Sequence, residues 1–377
     1  MKIFRLSAFL IFILFSNSLY AQKKAFNGRV IDEKNNEPLA FVSVYITNTT
    51  IGTITNAKGE FSLMLDPGKY EVIVSMVGYG PIVHPVEIRR ELANPPILFK
   101  IATKAYALDT VSVLAKRDAS WYSNLRLFKD YFLGKSSKAQ KCKLLNPDAL
   151  ITVFDVEKQT LTVTAKEPLL IENPELGYKI SFLLIAFVMN KEAKYSSYLG
   201  YPHFELMDGS DNQKQEWAEK RQQAYLGSTM HFVRSLRDQK LQQEGFRVSR
   251  PVEGLSVYAA EASVNGRPRV TKSTRFEDVS YGEYLSFPEN QAKLEFKGFL
   301  QVVYLREMED LEYVYSKTSD DLRKASYQTS IISLRDPSVF LQENGSFDKP
   351  LGITFEGYWS WDKVGDMLPY DYYPKSE

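Results

Sequence analysis

One cysteine and three histidines in 377 residues leave little for redox or metal chemistry. Cys142 has no intramolecular disulfide partner, and a chain this poor in soft ligands cannot build a multi-cysteine zinc or iron–sulfur centre. Charge of one sign is equally lacking, because 47 Lys and Arg face 46 Asp and Glu for a net +1. No global field exists to draw in nucleic acid or an anionic membrane surface. There is no G-x-S-x-G elbow, no H-E-x-x-H, no glycine-rich phosphate loop and no C-x-x-C, so no motif names a reaction. No cofactor and no metal is expected.

What is present is globular composition, 44% hydrophobic and 13% aromatic, with length for two or three domains. Lys2 and Arg5 precede an apolar core from Leu6 to Phe15, and Ser16–Ala21 is a polar, small-residue stretch. This reads as a signal peptide over residues 1–21, cut after Ala21, since the core has about half the length that a spanning helix needs. Without Lys2 and Arg5 the mature chain carries 45 basic and 46 acidic residues, and it has no transmembrane segment. The expected location is the periplasm or the outer membrane. Cys142 reads as a small buried hydrophobe.

From residue 22 to 103 short strands alternate with turn chemistry. Phe26–Ile31, Ala40–Thr47, Gly59–Leu65, Tyr70–Met76 and Pro81–Ile88 favour β-structure. Asn35-Asn36, Asn56–Gly59, Asp66–Gly68 and Gly78–Gly80 break them, and Gly59 and Gly68 stand where turns call for positive φ. Val42, Val44 and Ile46, then Phe61, Leu63 and Leu65, give each strand one buried face. The spacing predicts an all-β sandwich. The order GRVID, EPLAFVSVYI and GTITNAKGEFSLMLDPGKYEVIVSMVGY resembles the carboxypeptidase-regulatory-like domain, a transthyretin-like seven-stranded sandwich. That resemblance implies a module of Bacteroidetes cell-envelope proteins that precedes other domains and carries no catalytic zinc. His84-Pro-Val-Glu87 does spell H-x-x-E, but side chains three apart on a strand diverge, so it reads as a solvent-facing His on an edge strand.

Residues 104–117 form a linker. Within it Asp109, Thr110, Val111 and Val113 resemble the TonB box of outer-membrane transporters, which implies a docking strand for an envelope partner protein. The other reading is a connector strand paired with one of the two domains. The remaining residues, 118–377, read as an α+β domain of unassigned activity. Trp121, Leu125, Phe128 and Phe132 mark a helix ended by Gly134, and Ile180–Met189 reads as a central strand buried on both faces. Asp211–Tyr225 is a polar helix. Ser228 caps another running to Gln243, with Phe232, Val233 and Leu236 as core and His231 as a structural donor. The phrases SWYSNLRLFKDYFLG and YLGSTMHFVRSL are similar to Bacteroidetes envelope proteins bearing the same N-terminal sandwich.

Two acidic runs, Glu307–Asp310 and Asp320-Asp321, read as solvated loops, although a glycosidase with dispersed carboxylates stays open. Trp359, Trp361 and Tyr370 could stack on a glycan, or sit in a strand with one buried face. The favoured function is a noncatalytic exported cell-envelope protein with a β-sandwich interaction module. The alternative is a glycan-binding or glycan-hydrolysing envelope protein.

Overall fold

A computed structural model describes residues 23–89, 94–104, 118–193, 195–264, 267–317 and 324–374, with backbone alone for 253–274. Residues 1–21 and the segment with Asp109, Thr110, Val111 and Val113 lie outside the described residues. The chain divides into two compact units, 1–114 and 115–377.

The first unit is a β-sandwich of β1 (Lys24–Asp32), β2 (Ser43–Ile46), β3 (Gly52–Ile54), β4 (Glu60–Leu65), β5 (Gly68–Ser75), β6 (Ile82–Ile88) and β7 (Ile97–Ile101). One sheet has the order β4-β1-β7 and the other β3-β2-β5-β6. Strict alternation on β4 sends Phe61, Leu63 and Leu65 inward, where they meet Phe26, Val44 and Val72 in a closed core. Local sequence does not announce β7. It is a five-residue run after Pro95-Pro96, and its parallel pairing with β1 joins chain segments far apart in sequence.

Gly59 has φ +74°, and a Cβ there would stand 2.4 Å from the Val30 carbonyl oxygen, so the turn before β4 admits no side chain. Gly68 differs from its expected role, because it opens β5 without a positive φ. His84 also departs from expectation. On edge strand β6 it is half-buried rather than solvent-facing, with its ring edge-on to Phe99 of the opposite sheet at 5.4 Å. Glu87 faces outward and pairs with Arg89 at 3.1 Å, so the H-x-x-E residues do diverge.

The second unit is α+β and has two cores. Its first half contains α1 (Ala119–Phe132), α2 (Ser137–Gln140), β8 (Lys143–Leu144), β9 (Leu150–Asp155), β10 (Thr160–Ala165), β11 (Leu169–Asn173), β12 (Tyr178–Asn190) and β13 (Tyr195–Leu206). Asp118 caps α1 by accepting from the Trp121 amide at 2.9 Å, and Phe128 and Phe132 point into the sheet. Strand β12 pairs along nearly all its length with β13, at its start with β11 and at its end with β10. It is central, but it does not bury both faces. Tyr178, Ile180, Phe182 and Leu184 face the core, a bulge at Ile185 resets the parity, and Phe187 and Met189 continue the same face. From Phe182 to Met189 the outward positions are apolar too, Ile185 exposed and Val188 half-buried, so composition alone hides the alternation that the burial pattern shows.

The second half holds α3 (Asp211–Tyr225), α4 (Thr229–Arg237), β14 (Phe246–Val264), β15 (Arg267–Asp278), β16 (Leu285–Ser286), β17 (Lys293–Leu294), β18 (Phe299–Met308), α5 (Leu311–Lys317), β19 (Tyr327–Leu334), β20 (Val339–Phe340) and β21 (Ile353–Gly357). The larger sheet runs β15-β14-β18-β19-β21, and β16-β17-β20 form a small one. Helix α4 lays Phe232, Val233 and Leu236 on the larger sheet against Phe246, Val302 and Ile332. It ends six residues before the expected Gln243. Gln239 takes φ 56°, and the Lys240 amide reaches back to the Ser235 carbonyl at 2.8 Å, closing the helix. Among the described residues no helix is long and apolar enough to cross a membrane.

Candidate functional site

The first unit offers edges rather than a pocket of titratable groups. Each outer strand carries one exposed apolar side chain: Ile54 on β3, Met64 on β4, Val83 on β6 and Leu98 on β7. Among the described residues these four strands each pair on one side only.

The second unit contains a cavity of about 270 Å³ where its two cores meet. The chain segment from Tyr358 to Tyr370 forms much of its wall. Three long-range ties hold that segment. Arg234 of α4 donates to the carbonyls of Tyr370 at 3.0 Å and Tyr372 at 2.9 Å, and also to that of Asn344 at 2.8 Å. Asn173, fully buried at the end of β11, donates to the Gly365 carbonyl at 2.8 Å. The Gly365 amide in turn donates to the Leu133 carbonyl at the end of α1, also at 2.8 Å.

Asp366 is half-buried on the cavity wall and accepts two hydrogen bonds from the protein. Ser136 Oγ donates to it at 2.6 Å and the Lys363 amide at 3.1 Å, while the same Ser136 oxygen caps α2 through Ala139. Burial still raises its carboxyl above the ordinary range, against those two hydrogen bonds. Asp362 is raised well above that range, first by burial and then by the neighbouring Asp366. Lys363 is pushed the other way by burial. Glu307 and Asp310 stand at the exposed side, and partial burial raises Glu307. Every shift in this group moves toward the neutral form, as desolvation requires. Burial pushes the Cys142 thiol up to about 12, and the thiol sits 3.8 Å from the Lys138 carbonyl, as a buried inert cysteine should.

The aromatic residues read from the sequence separate here. Trp359 is 6% exposed, and its indole N–H donates to the Gly227 carbonyl at 2.8 Å, so one face of its ring belongs to the core beside Phe232. Tyr370 joins Trp359 on the cavity wall, whereas Trp361 packs edge-on to Tyr313 at 5.7 Å away from it. The Gly227 amide donates to His231 Nδ1 at 3.1 Å, which places the ring proton on Nε2, 3.3 Å from Glu244. Burial lowers the His231 pKa, so it is a neutral structural residue that both accepts and donates.

The acidic run at Glu307–Asp310 is not the solvated loop that sequence suggests. Glu309 is buried and accepts from the Ser326 amide at 3.1 Å, and its neighbours Glu307 and Asp310 line the cavity. Asp362 and Asp366 carried no sequence signal beyond their spacing of four. Among the described residues no group of three His, Cys, Asp or Glu side chains is placed to hold a metal ion.

Residues 26–113 match the family model described as the CarboxypepD_reg-like domain, and the match ends before the second unit begins at residue 115. No curated protein matches the chain. A mutant type II cohesin–X-dockerin complex from Acetivibrio cellulolyticus is similar over 21% of this chain and 56% of that one, at 17% identity and TM-score 0.17. This chain thus spans little more than half of that protein. A DUF3823 family protein from Parabacteroides merdae is 14% identical over 52% of this chain and 85% of its own, at TM-score 0.18. A putative membrane-associated protein of unknown function from Bacteroides fragilis is 10% identical over 89% and 95%, also at 0.18. At scores this low the likenesses carry neither fold nor function.

Proposed function

We propose that this chain, whose first unit is a CarboxypepD_reg-like β-sandwich, is an exported, noncatalytic cell-envelope protein in which the sandwich is the interaction module. The observation that carries this reading is the sandwich itself. It has a closed core of its own and four outer strands, each with backbone groups and one exposed apolar side chain available to an added strand. The basic start and short apolar core of residues 1–21 support export. The test is fractionation followed by intact mass. The chain should be found in the envelope fraction beginning at Gln22, and a cytoplasmic chain that keeps residues 1–21 would refute the reading.

A second reading, glycan binding by the second unit, is favoured by the cavity. Its wall combines the aromatic faces of Tyr198, Phe355, Trp359 and Tyr370 with carboxylates, which is the pairing of apolar face and acceptors that a sugar ring takes.

A further inference from the structure

We infer that β4 is the edge on which the sandwich takes its partner, and that the partner is an extended segment of another protein with a basic residue at each end. This deepens the interaction-module reading and rests on it. The first support is which edges are guarded. Natural sheets protect open edges with short strands, proline or lysine. Strand β3 has three residues, β6 carries Pro85 with no N–H to give, and β7 follows Pro95-Pro96 and presents an exposed Lys100. Strand β4 has none of these devices. Its six residues pair with β1 without a break, and Glu60, Ser62 and Met64 are exposed.

The second support is the phase of the ladder. The Val30 amide donates to the Gly59 carbonyl at 2.8 Å, so in register Phe61 is hydrogen-bonded to Gly28 and Leu63 to Phe26. The N–H and C=O groups of Glu60, Ser62 and Met64 therefore point away from β1. Those of Glu60 are closed by Asn56, whose amide donates to the Glu60 carbonyl at 2.9 Å and whose side-chain oxygen accepts from the Glu60 amide at 3.0 Å. Among the described residues Ser62 and Met64 keep two donors and two acceptors for an added strand, with the exposed Met64 side chain beside them.

The third support is charge. Glu60 opens the strand and Asp66 follows it, both exposed, and among the described residues neither carboxylate is in an ion pair. The Glu60 carboxylate accepts only from the Asn56 side chain, at 3.2 Å. An antiparallel strand bonded at Ser62 and Met64 sets its own residues opposite Glu60 and Asp66, where lysine or arginine is attracted and an acid repelled. A second copy of β4 does not meet this requirement. With the copy's Met64 opposite Ser62 all the free groups are used, but Glu60 then faces the copy's Asp66 on both sides of the two-fold axis. With Ser62 opposite the copy's Ser62, Met64 falls opposite Glu60, whose backbone groups are already taken. The edge therefore fits a foreign strand with basic ends and β-branched residues between them.

The probes are two peptides, Lys-Thr-Val-Thr-Val-Thr-Lys and its counterpart with glutamate at both ends, titrated into the mature full chain at neutral pH while amide hydrogen exchange is followed. The lysine-ended peptide should bind at least about tenfold more tightly than the other and slow exchange at Ser62 and Met64. Met64→Lys sets a like charge on the edge and should weaken that binding at least about tenfold. Ser62→Pro removes an outward N–H that β1 does not use, and should weaken it as well with the fold intact by circular dichroism. Slowed exchange on β3, β6 or β7 with none on β4 would refute this edge and leave the module reading standing. Equal binding of the two peptides would refute the basic-ended partner. Binding of neither at up to about 1 mM would refute the proposal, while capture by the isolated sandwich judges the module reading separately. A dimer of the mature chain that Met64→Lys dissociates would make the occupant a second copy and also refute it.

Discussion

Replacing Phe132 with alanine should destabilise the second unit by about 3–5 kcal/mol, the cost of emptying a large aromatic site that cannot collapse. Phe132 has no exposure and is the hub of an aromatic cluster. Its ring stacks on Phe128 at 4.7 Å and meets Phe182 at 4.9 Å and Tyr198 at 5.3 Å edge-on. These rings come from one helix and two strands, so the loss is not confined to α1. Urea unfolding of the mature chain checks it, with Tyr122→Ala as the control on the same helix. Tyr122 is 59% exposed, and its removal should fall within about 0.5 kcal/mol of wild type. Equal midpoints for the two variants would show that the first core of this unit lies elsewhere.

Asp362→Asn should have the opposite sign and a strong dependence on pH. Burial raises the Asp362 carboxyl well above its ordinary value of 3.8, and Asp366 adds to the shift. Between the unfolded and folded values the folded chain therefore holds a proton that the unfolded chain has lost. Stability from this group is complete below the unfolded value and is lost as pH rises through the folded one, by about 1.4 kcal/mol for each unit of separation. The amide cannot ionise, so the variant escapes the loss. It should melt above wild type at mildly alkaline pH, by about 2–4 °C for each kcal/mol recovered, and match it in acid. His231, whose pKa burial lowers, acts in the reverse sense on the acid side, but it is common to both proteins and cancels in the difference. A variant that melts below wild type at every pH would mean that Asp362 is an anchored acceptor rather than an unpartnered acid.

Elements whose ends carry their own chemistry were legible in the sequence. Helix α3 spans Asp211–Tyr225 as read, because Ser210 and Gln213 form a capping box at its start, and Ser228 caps α4 as expected. In the sandwich, turn residues and strict alternation on β4 fixed which faces turn inward. What could not be read depends on distance or on unmarked backbone. Gln239 ends α4 with a positive φ although nothing in its residue type requires it. The bulge at Ile185 hides inside a run that looks uniformly apolar. The cavity is the extreme case, since Asp366 meets Ser136 across 230 residues and Asn173 meets Gly365 across 192. A carboxylate in the C-terminal segment has no local pattern that separates one facing a cavity from one facing solvent.

Capture of a partner by the isolated sandwich tests the interaction-module claim most directly. Residues 23–104, immobilised and exposed to an outer-membrane extract, should retain the same envelope protein as the full mature chain, and residues 118–377 should not. Retention of that protein by residues 118–377, with none on residues 23–104, would contradict the assignment of the sandwich as the interacting unit.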